Sequence, residues 1–420
     1  MPKKMKNIKY LLIAIVGFLS SSCTEDFTPT FDKNPTERFL EQKNRFNEIL
    51  KNSEHGWVLQ SFPSSDQQHG GHNFYFNFED NNTLKTSYEF LDVTTNILTS
   101  TYAIKQSSGV YLSLDTYNNY AHFFATPTAD RYQAFGGEFE YNLLDSSTND
   151  TINIMGRKTR NKMRFIKLKE SWADYNNKVT ANRNLLPIAK IIGELGGNNI
   201  SVNINERRIH FSFQENGENK LIAEAFIYTD KGISLYEPVE IFGKKYQNFN
   251  FNEEKTQMLP DNGDLVLKIF VPAIDLSSTG WELDISIPEQ RADIIQQTFQ
   301  SVFEENLKKE DETLLSKIFF GKRGKEVGIQ FITGKGTKFY LAAFSLNFSG
   351  SSLGKEYLEI KEAGESTNWR FYRHLNPLKD IFTKNTPYKL ELNDAKNPTQ
   401  VKLISVDNPS FWFVLNRRNS

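Results

Sequence analysis

The chain has 420 residues, with 50 basic and 51 acidic side chains and a formal net charge of −1. The two signs are interspersed and no long basic block occurs, which argues against nucleic acid as a partner. A single cysteine, Cys23, excludes any disulfide within the chain, so stability rests on packing.

The first 22 residues read as a secretory signal. Lys3, Lys4, Lys6 and Lys9 form a basic start, Tyr10 to Leu19 is a short apolar core, and Ser20 to Ser22 lead into Cys23. The apolar run is too short to span a bilayer. A cysteine at the cleavage point predicts a lipoprotein signal, with residues 1–22 removed and Cys23 acylated. The alternative is an ordinary secretory signal with an incidental cysteine. Without the four lysines of that segment, 46 basic groups face 51 acidic ones. Residues 23–33 then form the lipidated cysteine and a polar tether, whose ten residues after Cys23 can extend about 33 Å.

Nearly 400 remaining residues exceed a single core, so several units are expected. The predicted division is an N-terminal helix plus antiparallel β domain over 34–175, a second β unit over 176–288, and a helical segment with a C-terminal β unit over 289–420. Asn34, Pro35 and Glu37 have the pattern of a capping box, and Phe39, Phe46, Ile49 and Leu50 share one helical face. Beyond Gly56 and Trp57 the period changes to two. Phe74, Phe76 and Phe78 alternate with Asn73, Tyr75 and Asn77, which predicts a strand with one apolar face. Short strands are expected near 84–90, 99–105, 109–115, 137–144, 151–155 and 162–168, separated by turns that favour antiparallel meanders. Leu185 to Leu195 reads as a short helix. The second unit alternates through Ile209, Phe211, Phe213 and again through Ala223, Ala225 and Ile227, with Glu215-Asn-Gly217 and Thr229-Asp-Lys-Gly232 as turns. Glu289 to Phe320 is predicted as two helices or one kinked helix. Strands over 338–348, 388–392, 401–406 and 411–415 follow. The fold class is therefore mainly β with α+β character: antiparallel meander sheets or open barrel-like units with a few flanking helices. The 34 Phe, 17 Tyr and 5 Trp fit pleated, half-buried surfaces first and ligand platforms second.

Several segments resemble a family of uncharacterised lipoproteins of Gram-negative bacteria, a domain of unknown function found with starch-utilisation-type uptake systems. They are Cys23-Thr-Glu-Asp26, Glu37-Arg38, His55-Gly-Trp57, Gly70-Gly-His-Asn-Phe-Tyr-Phe76 and Leu114-Asp-Thr-Tyr-Asn118 with His122. Gly136-Gly-Glu-Phe-Glu140, Gly156-Arg-Lys158 and Thr229 to Tyr236 complete the set, which covers most of residues 23–250. The resemblance implies a place beside a TonB-dependent transporter and its lid lipoprotein. It implies no catalytic residues.

The candidate chemistry is thin. His69-Gly-Gly-His72, joined by His122, is a weak metal candidate, because a diglycine loop does not hold two imidazoles as a helix would. No metal and no cofactor is expected. Asp115, Tyr117 and Asn118 end a strand with hydrogen-bonding side chains that suit a ligand pocket or a structured corner. Glu138 and Glu140 flank Phe139, and are read as facing solvent. Trp172, Trp281 and Trp369 are the tryptophans expected to form an exposed stacking platform, whereas Trp57 and Trp412 read as core. No serine-hydrolase elbow, phosphate loop or zincin helix occurs. The reading is a lipid-anchored accessory protein of the outer membrane, facing periplasm or cell surface, that binds a glycan or peptide or helps assembly. A hydrolase, and a structural partner of the transporter without a small ligand, are the rivals.

Overall fold

A computed structural model describes residues 33–418. Cys23 and the tether through Asp32 lie outside the described residues. The described chain folds into three consecutive antiparallel rings of eight strands, with four α-helices among the described residues.

Helix α1 (Pro35–Lys51) begins as its sequence predicts. The Asn34 side chain accepts from the Glu37 N–H and the Glu37 carboxylate accepts from the Asn34 N–H. Phe46, Ile49 and Leu50 are buried and Phe39 packs beside them. The first barrel comprises β1 (Trp57–Ser61), β2 (His72–Phe78), β3 (Thr83–Tyr88), β4 (Leu98–Gln106), β5 (Val110–Leu114), β6 (Glu140–Leu143), β7 (Thr151–Gly156) and β8 (Lys162–Lys167). Each strand pairs with the next, and β8 closes on β1. Trp57, Leu59, Phe74, Phe76, Phe78, Leu112, Ile154 and Phe165 fill its interior, as period two requires. The outer face of β2 is not solvated as the alternation implied: Asn73 and Tyr75 are fully buried there. Helix α2 (Trp172–Leu185) covers Tyr75, whose Oη donates to Asn176 Oδ1 at 2.9 Å, while Asn73 Nδ2 donates to the Tyr228 carbonyl at 2.9 Å.

The second barrel follows in the same manner. Its strands are β9 (Lys190–Leu195), β10 (Asn198–Asn205), β11 (Arg208–Glu215), β12 (Glu218–Tyr228), β13 (Gly232–Ile241), β14 (Lys244–Phe251), β15 (Gln257–Pro260) and β16 (Val266–Phe270). Here β16 closes on β9. The helix expected over 185–195 is therefore a correction. Ile191, Gly193 and Leu195 point inward at period two, and the β-branched pair Ile191-Ile192 pleats more readily than it coils. Ala225 and Ile227 face outward and meet Phe62 of the first barrel, while Phe226 and Tyr228 face the barrel interior.

The third ring contains β17 (Gly280–Asp284), β18 (Thr313–Leu314), β19 (Lys317–Arg323), β20 (Glu326–Lys335), β21 (Lys338–Ser351), β22 (Gly354–Glu365), β23 (Tyr388–Leu392), β24 (Gln400–Ser405) and β25 (Trp412–Arg417). Pairing of β20 with β21 closes eight of these strands, and β18 adds to β20 from the side. Helices α3 (Asp293–Glu310) and α4 (Asn376–Lys384) pack on this unit. The predicted second helical piece around 314–319 is strand instead, because Asp311 ends α3 in the left-handed conformation at φ 55° and redirects the chain. The predicted boundaries also shift. The one at 288 falls too late, since β17 already pairs with β19 and β25, and the one at 175 cuts through α2.

Candidate binding surface

Alternation of strand direction puts the β1–β2, β3–β4, β5–β6 and β7–β8 connections at one end of the first barrel. The opposite end is covered by α1, through Gln42 to Asp145, Arg45 to the Ser147 carbonyl and Lys51 to Asp80. Residues 115–139, between β5 and β6, form the long loop of the open end.

Asn118 fixes this loop. Its Nδ2 donates to Thr86 Oγ1 at 2.7 Å and to Ser100 Oγ at 3.2 Å, and its Oδ1 accepts the N–H groups of Tyr120 and Ala121. The side chain is thus wholly engaged and buried, which places it among structural corners rather than ligand contacts. Asp115 is held similarly, accepting from Lys105 Nζ at 2.5 Å and Ser113 Oγ at 2.7 Å. Burial pushes its carboxyl up, but those two donors more than offset this and hold it below the usual range. Gly137 lets the returning chain pass against Phe124, where a Cβ would come within 2.5 Å of the Phe124 carbonyl carbon.

On this framework the loop displays rings. Tyr117 is 62% exposed, Phe90 52%, Phe123 46% and Phe139 44%. Phe123 stacks on Tyr88 at 5.9 Å and on Phe135 at 5.9 Å, with interplanar angles of 28° and 17°. Arg131 caps Phe135 at 4.1 Å, and His69 meets its edge at 5.3 Å. Beside this row, His122 lies between Tyr117 at 5.3 Å and Phe139 at 5.4 Å. Phe124 is the anchor beneath, buried against His72 at 4.6 Å and Phe74 at 6.1 Å. A monomeric surface seldom leaves so many adjoining aromatic faces open without a use for them.

Under the Phe90 edge lies a buried charge hub that joins the first barrel, α2 and the second barrel. Glu89 has no exposed side-chain surface, and Arg207 Nη2 lies 2.9 Å from its Oε1 while Arg183 Nη1 lies 3.4 Å from its Oε2. Burial pushes the Glu89 carboxyl up. The charges of Arg207 and Arg183 overcome this and hold it at about 2. His72 Nε2 sits 3.1 Å from the His69 carbonyl and its Nδ1 2.9 Å from Tyr88 Oη. Since a carbonyl only accepts, these partners assign the Nε2–H tautomer, with Nδ1 accepting from the tyrosine. Burial holds the His72 pKa below its ordinary value, so the ring is neutral.

The three histidines are therefore not a metal centre. His72 serves the hub, His69 meets Phe135, and His122 Nδ1 lies against the backbone of Asn118. Among the described residues no group of three or more His, Cys, Asp or Glu is placed to hold a metal ion. The diglycine between the first two histidines has a different duty. A Cβ on Gly70 would sit 2.2 Å from Arg207 Cβ, and one on Gly71 2.5 Å from Ile227 Cβ, so both admit the second barrel.

The tryptophan platform is also corrected. Trp281 is 1% exposed and Trp369 0%, both inside the third ring, and Trp172 is half-buried against Tyr75 at 5.8 Å. Conversely Trp412, read as core, is only half-buried under Lys402. Glu138 does not face solvent: it is buried and accepts the N–H groups of Lys158 and Thr159, while Glu140 pairs with Arg157. The exposed rings that sequence reasoning missed are Phe90, Phe123 and Phe139. Only Phe123 carried a signal, a bulky aromatic outside any period-two pattern, because Phe90 and Phe139 fall within the strands predicted over 84–90 and 137–144. Among the described residues no helix is long and apolar enough to cross a membrane.

A family model described as Domain of unknown function (DUF4302) matches residues 28–253. No curated protein matches the chain. Among solved structures, similarity is found to a putative DNA polymerase III beta subunit from Eubacterium rectale, at 8% identity over 89% of this chain and 92% of that chain, with a TM-score of 0.14. The beta subunit of DNA polymerase III from Thermotoga maritima is similar at 9% identity over 91% and 98%, with a TM-score of 0.13. These TM-scores lie below what a shared fold requires.

Proposed function

Because this chain belongs to the DUF4302 family, a domain of unknown function whose model spans more than half of it, we propose a role from its own geometry: a lipid-anchored, extracytoplasmic binding protein of an outer-membrane nutrient-uptake system, which holds a glycan or peptide without chemically altering it. The observation that carries this reading is the group of open rings Phe90, Tyr117, Phe123 and Phe139 at the loop end of the first barrel, with Phe123 stacked on the partly buried Phe135. Flat aromatic faces suit the apolar faces of sugar rings and the side chains of peptides. Four carboxylates near them are already engaged: Asp115 by Lys105, Glu138 by backbone N–H groups, Glu140 by Arg157 and Glu89 by two arginines. None of these four is left to form a free acid–base pair, which favours retention over hydrolysis.

Orientation supports the same reading. The tether enters at α1, on the closed end, so an anchor at Cys23 would leave the aromatic end turned away from its point of attachment. In an uptake system the TonB-dependent transporter and its lid lipoprotein are the proposed neighbours.

The test is a glycan and peptide retention panel on the soluble 24–420 chain, with Phe123→Ala and Tyr117→Ala together as the variant. We expect a retained ligand whose affinity falls at least tenfold in the double variant while the melting temperature holds. Cleavage of a panel member, or equal retention by the variant, would sink the reading. For the anchor, Cys23→Ala is expected to release the protein from membranes on washing with high salt.

A further inference from the structure

We infer that the cleft between the first and second barrels is a second binding site, for a small ligand that carries a carboxylate. This goes beyond the aromatic surface and shares no residue with it. Two cavities of about 420 and 310 Å³ adjoin along this cleft and share three lining residues, Gln60, Arg164 and Ser234. Volumes of that order suit a ligand of a few rings.

Arg164 is the centre of the argument. It rises from β8 on the outer face of the first barrel, half-buried by the second. Its Nε donates to Gln60 Oε1 at 2.6 Å, and its Nη2 donates to Ser234 Oγ at 3.2 Å. Both partners are neutral and buried. Among the described residues no carboxylate lies within ion-pairing reach of the guanidinium, and Nη1 has no protein acceptor. Every other arginine drawn into the barrel junction, Arg183 and Arg207, has Glu89 as counter-charge. A guanidinium removed from water without a counter-charge is costly, and a bidentate oxyanion satisfies its remaining fork.

The surroundings are arranged for this. Ser234 Oγ donates to Asn248 Oδ1 at 2.7 Å, and Asn248 and Asn250 donate to the two oxygens of Asp261 at 2.7 and 2.6 Å. This chain fixes the Ser234 oxygen toward Arg164. Around the larger cavity stand Lys167, Lys169 and Lys231, none of which forms an ion pair among the described residues. Of the acids there, Glu170 is taken by Lys178, Asp261 is engaged by the two asparagines, and burial pushes the Asp230 carboxyl up. At the smaller cavity Lys162 and Glu237 neutralise each other at 2.9 Å. Arg164, Lys167, Lys169 and Lys231 thus face Glu170, Asp230 and Asp261 around the larger cavity, an excess of one positive charge. A carboxylate could belong to an acidic sugar or to an acidic peptide.

The experiment is calorimetric titration of the soluble 24–420 chain with four probes: oligogalacturonate, a neutral galactose oligomer of equal length, an Asp-containing dipeptide and sodium sulfate. We expect one carboxylate probe to bind, the neutral oligomer not to bind, and Arg164→Gln to lose at least tenfold in affinity. Which carboxylate probe binds separates the sugar from the peptide source. Should Arg164→Gln fail to fold, Lys169→Glu with Lys231→Glu, both exposed, is expected to weaken binding at least threefold and flatten its salt dependence. The Phe123→Ala and Tyr117→Ala variant is expected to bind these acids as wild type does, so failure of the aromatic surface leaves this site standing. Equal binding of acidic and neutral oligomers, binding of sulfate alone, no binding by any probe, or full affinity in the Arg164 and lysine variants would overturn it.

Discussion

Glu89 shows how much one side chain can hold together. Among the described residues it is the sole carboxylate shared by Arg183 of α2 and Arg207 beside β11, and it also receives the Asn73 N–H. Glu89→Gln leaves two buried guanidinium groups without their counter-charge, and we expect a loss of about 3 kcal/mol, read from urea unfolding. Acid acts on the same place in the same direction. Glu89 is depressed from its ordinary 4.5 to about 2, and its stabilisation is complete above 4.5 and lost as pH falls toward 2. His72 is also depressed, from its ordinary 6.5, so the unfolded chain takes up that proton first and stability begins to fall below 6.5. Tyr88 and Tyr228, whose hydroxyls burial pushes up, stay neutral throughout that range. A melting temperature that stays flat between pH 7 and 4 would contradict this account. From sequence, Glu89 was invisible: it falls within the strand predicted over 84–90, on the face opposite Tyr88 and Phe90, where a carboxylate reads as solvated. Asn118 was legible as a turn-former, because Asx chemistry is local, whereas a salt link over more than a hundred residues has no local signature.

At the scale of elements, the helix at the start of the first barrel was the easiest to foresee and is the simplest to test. Its cap is a local pattern and its buried face a periodic one. Asn34→Ala is expected to cost about 1 kcal/mol, and Phe46→Ala about 3 kcal/mol, because Phe46 is fully buried over the closed end of the barrel. Equal effects of the two in thermal unfolding would count against that packing. Helix α2 escaped notice for a physical reason. Its buried positions include Asn176 and Asn182, which bond Tyr75 and the Thr229 carbonyl, so polar residues interrupt the apolar stripe. The strand at 190–195 and the one at 317–323 misled in the opposite sense. Both are runs of large apolar residues short enough to satisfy either period, and only their partners across the sheet decide between them. Strands bounded by turn chemistry, such as β2, β5 and β8, lie within a residue or two of their predicted places.

For the whole molecule, antiparallel β structure was legible and ring closure was not. Meandering strands look alike in sequence whether the last one meets the first or stays an edge. The family match shows why closure matters, because residue 253 lies just after β14. A fragment of residues 28–253 lacks β15 and β16, leaving β9 and β14 as open edges. We expect that fragment to aggregate, and residues 28–275 to behave as a monomer with a cooperative melt, as judged by size-exclusion chromatography and circular dichroism. The aromatic surface was illegible for a related reason: Phe90 comes from the β3–β4 connection and Phe123 and Phe139 from the long β5–β6 loop, and only the barrel brings the two connections to one end.

Each ring is sealed by its own strands. The first is complete at β8, the second at β16 and the third at β25, and none borrows a strand from another. A chain released N-terminus first can therefore finish one ring before the next has been delivered. For a polypeptide that emerges unfolded from its N-terminus, the order of arrival is then the order of closure. Long-range pairing is confined to spans that have already emerged, so slow β assembly need not wait for the C-terminus.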